Sequence, residues 1–171
     1  GVNLDLSAGG DAPALEITTN PQNGSTSNVT LELKGQNVLK SPDSFAGIRV
    51  TSTNSLKIIG GGNLEVHGGT AGAGIGNQGF SGSSGEITIE TSGTSEIHAY
   101  GGEAAAGIGG GQAGGCGKVT VKSGKVYATG GDGYVVDGTT NKIDAGTGIG
   151  TGGKGTGGGE IVLEGGEIHV T

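Results

Sequence analysis

Gly85-Glu86-Ile87-Thr88-Ile89 returns as Gly117-Lys118-Val119-Thr120-Val121, and again as Gly159-Glu160-Ile161-Val162-Leu163. The steps between Ile87, Val119 and Ile161 are 32 and 42 residues. Each copy alternates apolar with polar residues, the two-residue period of a half-buried strand. Each is bounded by glycine or glycine and serine, the chemistry of turns. Self-similarity at such a period is the mark of a stacked-repeat architecture.

Two further blocks keep step with the first. One reads Glu96-Ile97-His98-Ala99-Tyr100, then Lys125-Val126-Tyr127-Ala128-Thr129, then Glu167-Ile168-His169-Val170, with an earlier copy at Leu64-Glu65-Val66-His67. The other is Ala73-Gly74-Ile75-Gly76, Ala106-Gly107-Ile108-Gly109 and Thr147-Gly148-Ile149-Gly150. The long final step implies a loop insertion near 134–144. Residues 1–60 carry weaker copies: Val29-Thr30-Leu31-Glu32-Leu33 and Leu56-Lys57-Ile58-Ile59 fill the first-block role, and Phe45-Ala46-Gly47-Ile48 the third. The expectation is one domain over 1–171, with degenerate coils in 1–60 and glycine-rich repeats in 61–171.

These blocks predict an all-β chain: a parallel β-helix, or β-solenoid, of roughly five coils of about 32 residues. No segment has helical apolar periodicity, and two-residue hairpin signals between consecutive blocks are scarce, which disfavours antiparallel pairing. A single coil cannot offset its own conformational entropy, so stability has to come from stacking. Parallel crossovers are right-handed in nearly all sheets, which predicts a right-handed helix. The glycines beside Ile75, Ile108 and Ile149 belong at tight corners, where positive φ and close approach of neighbouring coils exclude a side chain.

Composition narrows the function classes. The chain has 171 residues, 43 of them glycine, without a three-residue glycine period and with only three prolines, so collagen is excluded. Net charge is −7, with Arg49 the only arginine. Phosphate-rich partners need clustered Lys and Arg, so neither nucleic acid nor an anionic membrane surface is expected. No apolar run of about 20 residues exists to insert into a membrane. Cys116 is the only cysteine, so no intrachain disulfide can form. The abrupt start at Gly1 and the stop inside a strand-like run at Thr171 are read as those of a piece of a larger multidomain chain.

Alternation also decides which side chains face outward. On the first-block face the outward row is Glu32, Lys57, Thr88, Thr120 and Val162. On the second-block face it is Glu65, His98, Tyr127 and His169, with His67, Tyr100, Thr129 and Thr171 one pleat further. All three histidines and two of the three tyrosines gather there. Glu65, His67, His98, Tyr100, Tyr127 and His169 are therefore the candidate ligand-binding residues, since polar and aromatic groups at strand spacing can contact sugars. The plainer reading is that aromatic side chains fit exposed strands.

Other motifs carry less. Gly74-Ile75-Gly76-Asn77-Gln78-Gly79 matches a dinucleotide fingerprint, and 148–155 nearly matches a phosphate loop, but neither precedes a helix. Asp132, Asp137 and Asp144 are calcium candidates by their oxygen chemistry, although solvated loop acids explain them as well. No cofactor and no catalytic residue is assigned. Glu86, Glu96, Glu160 and Glu167 read as single, solvated acids rather than the carboxylate pair of a glycosidase.

The blocks Ala73-Gly74-Ile75-Gly76 and Ala104-Ala105-Ala106-Gly107-Ile108-Gly109-Gly110-Gly111, with the strands after them, resemble the glycine-rich repeat of large secreted or cell-wall-attached bacterial proteins. Val29-Thr30-Leu31-Glu32-Leu33 and Ala46-Gly47-Ile48-Arg49-Val50 are similar to β-helical bacterial carbohydrate-binding domains. The likeness runs from about Val29 onward. It implies a parallel β-helix, an extracellular place at a bacterial cell surface or in the secreted fraction, and binding or adhesion to a polysaccharide or cell-surface glycan. Some members of that group bind calcium, but none of their ligand positions can be matched here. The expectation is a non-catalytic carbohydrate-binding or adhesion module. The alternatives are a purely structural solenoid spacer and a polysaccharide lyase or hydrolase.

Overall fold

The alternating blocks do become strands, and the glycine runs become the corners between them. The computed structural model describes residues 1–171 and contains no helix. In its first pass the chain forms β1 (Asn3–Asp5), β2 (Leu15–Ile17) and β3 (Asn28–Leu33). The second pass is β4 (Gln36–Lys40), β5 (Ile48–Val50) and β6 (Ser55–Gly60); the third is β7 (Asn63–His67), β8 (Ile75–Gly76) and β9 (Glu86–Thr91). The fourth is β10 (Glu96–Tyr100), β11 (Ile108–Gly109) and β12 (Val119–Ser123). The fifth opens with β13 (Lys125–Thr129), detours through β14 (Tyr134–Val135) and β15 (Lys142–Ile143), and resumes with β16 (Ile149–Gly150) and β17 (Ile161–Leu163) before β18 (Glu167–Val170).

Equivalent strands of successive passes pair in parallel. This yields a six-stranded sheet, β1-β4-β7-β10-β13-β18, and two five-stranded sheets, β2-β5-β8-β11-β16 and β3-β6-β9-β12-β17. Ile87 pairs with Val119 and Val119 with Ile161, so residues far apart in sequence share one column. A second column runs Leu15, Ile48, Ile75, Ile108, Ile149. The inward columns of all three sheets join in one core of 20 buried residues.

The third block is held by two kinds of glycine. Gly109 has φ of +132°, and a Cβ there would lie 2.0 Å from the carbonyl oxygen of Gly150 in the next pass. Gly107 keeps an ordinary φ, yet its Cβ would sit 2.7 Å from the Thr129 amide nitrogen. The first position needs both backbone freedom and empty space; the second needs only the space.

Several expectations are corrected in detail. The spacing is not uniform: side-chain hydrogen bonds join equivalent positions 27, 33 and 42 residues apart. The first-face row runs Thr30, Lys57, Thr88, Thr120, Val162, because Thr30 pairs with Lys57 while Glu32 pairs with Ile59 one pleat further. Thr120 has outward phase but is only 5% exposed. Its short side chain is flanked in register by Thr88 and Val162. The insertion is not a loop but an antiparallel hairpin, in which Tyr134 pairs with Ile143 and Val135 with Lys142. Its turn contains Asp137-Gly138, with φ of +73° at Gly138, a local hairpin signal that stacking arguments pass over.

Candidate functional site

The site is the outward face of the six-stranded sheet. Period-two alternation along β7, β10, β13 and β18 turns one residue in two away from the core, and parallel in-register pairing aligns these residues in rows. The middle row is Val38, Glu65, His98, Tyr127, His169. Beside it runs Lys40, His67, Tyr100, Thr129, which Thr171 continues by donating from its hydroxyl to Thr129 Oγ1 over 3.2 Å. On the other side lie Glu96, Lys125 and Glu167. All six candidate residues therefore meet on one face.

Strand spacing of about 4.8 Å is also a comfortable distance between stacked rings. His98 and Tyr127 stack at 4.5 Å with 8° between planes, and Tyr127 and His169 at 4.8 Å with 4°. His67 and Tyr100 stack at 4.6 Å with 16°. The rings stand on the sheet like leaves of a book, so most ring faces meet one another and ring edges meet solvent. Four aromatic faces have no stacked ring along the rows: that of His98 toward Glu65, that of His169 beyond Tyr127, that of Tyr100 toward the small Thr129, and that of His67 toward Lys40.

The acids on this face are not free, which corrects the reading of Glu96 and Glu167 as single solvated groups. His67 Nε2 donates to Glu65 over 2.8 Å, His98 Nε2 to Glu96 over 3.3 Å, and His169 Nε2 to Glu167 over 2.8 Å. Lys125 lies 3.4 Å from Glu167. The hydrogen bond from His67 holds the Glu65 carboxyl below its ordinary range. Glu167 is lowered first by His169 and then by the charge of Lys125, whose own ammonium is raised by Glu167. Glu-x-His occurs three times in the sequence, at Glu65-Val66-His67, Glu96-Ile97-His98 and Glu167-Ile168-His169. Two residues apart on a strand means the same face, so this pairing was readable in advance.

One concavity interrupts the face. Gln36, Asn63, Val38, Glu65, Glu96 and His98 border a notch of about 180 Å³ with Asn37 and Leu64. The notch exists because the aromatic row stops at His98 and gives way to Glu65 and Val38. Asn63 Oδ1 accepts the Glu96 amide over 2.9 Å, which fixes that wall.

Elsewhere the chemistry is sparse. No three His, Cys, Asp or Glu side chains converge on a point that could hold a metal. The calcium candidates Asp132, Asp137 and Asp144 are all exposed, in and beside the hairpin insertion. Cys116 is a core residue, 4% exposed, and burial pushes its thiol up. Asn77 of the dinucleotide-like motif is buried and donates to the Ser81 and Ser83 carbonyls, a corner role. No protein-family model matches the chain, and no curated protein or solved structure matches it.

Proposed function

We propose that this chain is a right-handed parallel β-helix acting as a non-catalytic carbohydrate-binding or adhesion module, extracellular, at a bacterial surface or secreted. The handedness follows the rule for parallel crossovers. The observation that carries the function is the face on which His67, His98, Tyr100, Tyr127 and His169 stand in register. It offers open ring faces, histidine-oriented carboxylates and threonine hydroxyls on a rigid sheet. A polysaccharide carries apolar C–H faces and dense hydroxyls, and both find partners there.

The experiment is a binding screen against polysaccharides and cell-surface glycans, read by calorimetry or surface resonance. A saturable ligand is expected, with Tyr100→Ala weakening it roughly tenfold, the scale of a stacking contact of about 1.4 kcal/mol. A blank screen sinks the reading. Turnover of a bound polysaccharide would replace it with a lyase or hydrolase.

One observation favours a second reading. The His98–Tyr127–His169 stack spends four ring faces internally, as a stabilising ladder in a structural spacer would. The same screen decides, since a spacer has no specific ligand.

A further inference from the structure

We propose that the notch between Val38 and His98 is a subsite for one non-acidic hexopyranose unit, recognised by hydroxyl or ammonium donors; this rests on the carbohydrate-binding reading above. The notch is the one recess found on this otherwise flat face of stacked rings. At about 180 Å³ it has room for about six waters at roughly 30 Å³ each. That is below the roughly 300–1,000 Å³ of pockets for drug-sized ligands, so the notch takes at most one sugar ring and not an extended ligand.

Its walls supply complementary chemistry. His98 stacks on Tyr127 at 4.5 Å and has Tyr100, two residues along its own strand, at 6.4 Å. Its face away from Tyr127 is the one on the notch side, where the C–H face of a pyranose can lie. Val38 adds apolar floor. Glu65 and Glu96 each give one acceptor direction to a histidine. An ionised carboxylate has about four lone-pair sites, so each keeps capacity for sugar donors. Adjacent hydroxyls of a pyranose donate well to a carboxylate oxygen pair. Asn63 uses Oδ1 on the Glu96 amide and leaves Nδ2 to donate outward. The polar walls are thus already oriented by histidines and backbone, which lowers the ordering cost of binding.

Charge sets the selectivity. No Lys or Arg lines the notch, and the chain is net negative at −7. A uronate carboxylate would face Glu65 and Glu96 directly, while the nearest lysines, Lys40 and Lys125, lie outside the notch walls and act on those acids, so it is excluded by like-charge repulsion. Glu65 is held ionised by its bond from His67, so the exclusion persists at neutral pH.

The test compares oligosaccharides of neutral hexoses, of hexosamines and of uronic acids on wild type, Glu65→Tyr, Glu96→Gln and Tyr100→Ala. Glu65→Tyr fills the notch while continuing the ring row, and Glu96→Gln keeps the shape while removing one charge. Circular dichroism and melting confirm that each variant folds. Wild type is expected to bind the neutral or hexosamine series and not the uronates. Glu65→Tyr should weaken binding at least tenfold, and Glu96→Gln about fivefold. Hydroxyl recognition shows as a neutral preference and ammonium recognition as a hexosamine preference. If Tyr100→Ala abolishes binding while both notch variants bind as wild type, the notch is wrong and the face reading stands. Preference for uronates also overturns the notch. Silence from wild type toward every series overturns both.

Discussion

Val119 and Ile161 stand in the same column, in copies of the same block, yet Val119 is fully buried and Ile161 is 44% exposed. Val121 and Leu163, two residues on, differ in the same way, 0% against 57%. Nothing in the local pattern separates them. Val119 has a strand on each side, β9 and β12's other neighbour β17, whereas Ile161 has only β12. Burial here belongs to the stack rather than to the block, as expected when each repeat contacts only its neighbours. The outward face behaves differently. Tyr127 and His169 still stack in the last pass, at 4.8 Å against 4.5 Å for His98 and Tyr127 further in, because a ring needs one neighbour to be stacked and two to be buried.

The sharpest way to break this comparison is at the corners. Gly109→Ala places a Cβ 2.0 Å from a backbone oxygen of the next pass. Gly150→Ala, at the equivalent position with φ of +140°, meets only the Thr147 side chain. Backbone strain alone costs about 1–3 kcal/mol. Chemical denaturation should show Gly150→Ala within that range and Gly109→Ala beyond it, by about 3 kcal/mol more or by loss of folding. Equal losses would mean that inter-pass approach is not what demands glycine.

The next largest contrast lies within one column. Ile87→Ala empties a fully buried site between two strands and should cost about 4 kcal/mol. Ile161→Ala, already 44% exposed, should cost about 1 kcal/mol. Comparable values would show that the last pass is as well buttressed as the middle ones.

The smallest effect sharpens the comparison on the outer face. Glu65 and Glu167 have folded-state values below their ordinary 4.5. The stability they contribute is complete above that value and is lost as acid protonates them in the folded state. The melting temperature should therefore hold down to about pH 4.5 and fall below it. Asp5 and Glu90, lowered by Ser7 and Lys57 respectively, share that slope. A Glu65→Gln, Glu167→Gln double variant should flatten it in part. An unchanged slope would show that the histidine pairs contribute nothing to folding.

Much of this was legible from spacing. The columns through Ile87 and Ile75, and the row Glu65-His98-Tyr127-His169, follow from alternation plus repeat alignment, because parallel register leaves little freedom once the core face is chosen. The misplacement of Glu32 came from the first third, where the passes shorten to 27 residues and two in-phase registers fit the same alternation. The Glu-x-His pairs were visible, but Glu96 and Glu167 read as solvated acids and Glu65 as a ligand-binding candidate, since each residue was judged alone. The notch was not legible at all. It depends on where a row of rings ends, and on side-chain torsions that no period encodes. The burial of Thr120 likewise depends on its flanks.

The hairpin β14–β15 leaves the stack and returns without disturbing it. The Gly146 amide donates to the Gly131 carbonyl over 2.9 Å and pinches the detour shut, while Gly131 itself still bonds to Ala105 of the pass before. Gln112 reaches across to the Tyr134 hydroxyl at 2.8 Å and steadies the excursion from outside. A corner that tolerates this much extra chain is a natural grafting point. Foreign segments of other lengths could be spliced between Val135 and Lys142 and displayed at the hairpin tip, leaving the Asp132 carbonyl on the Ala104 amide and Tyr134 on Gln112.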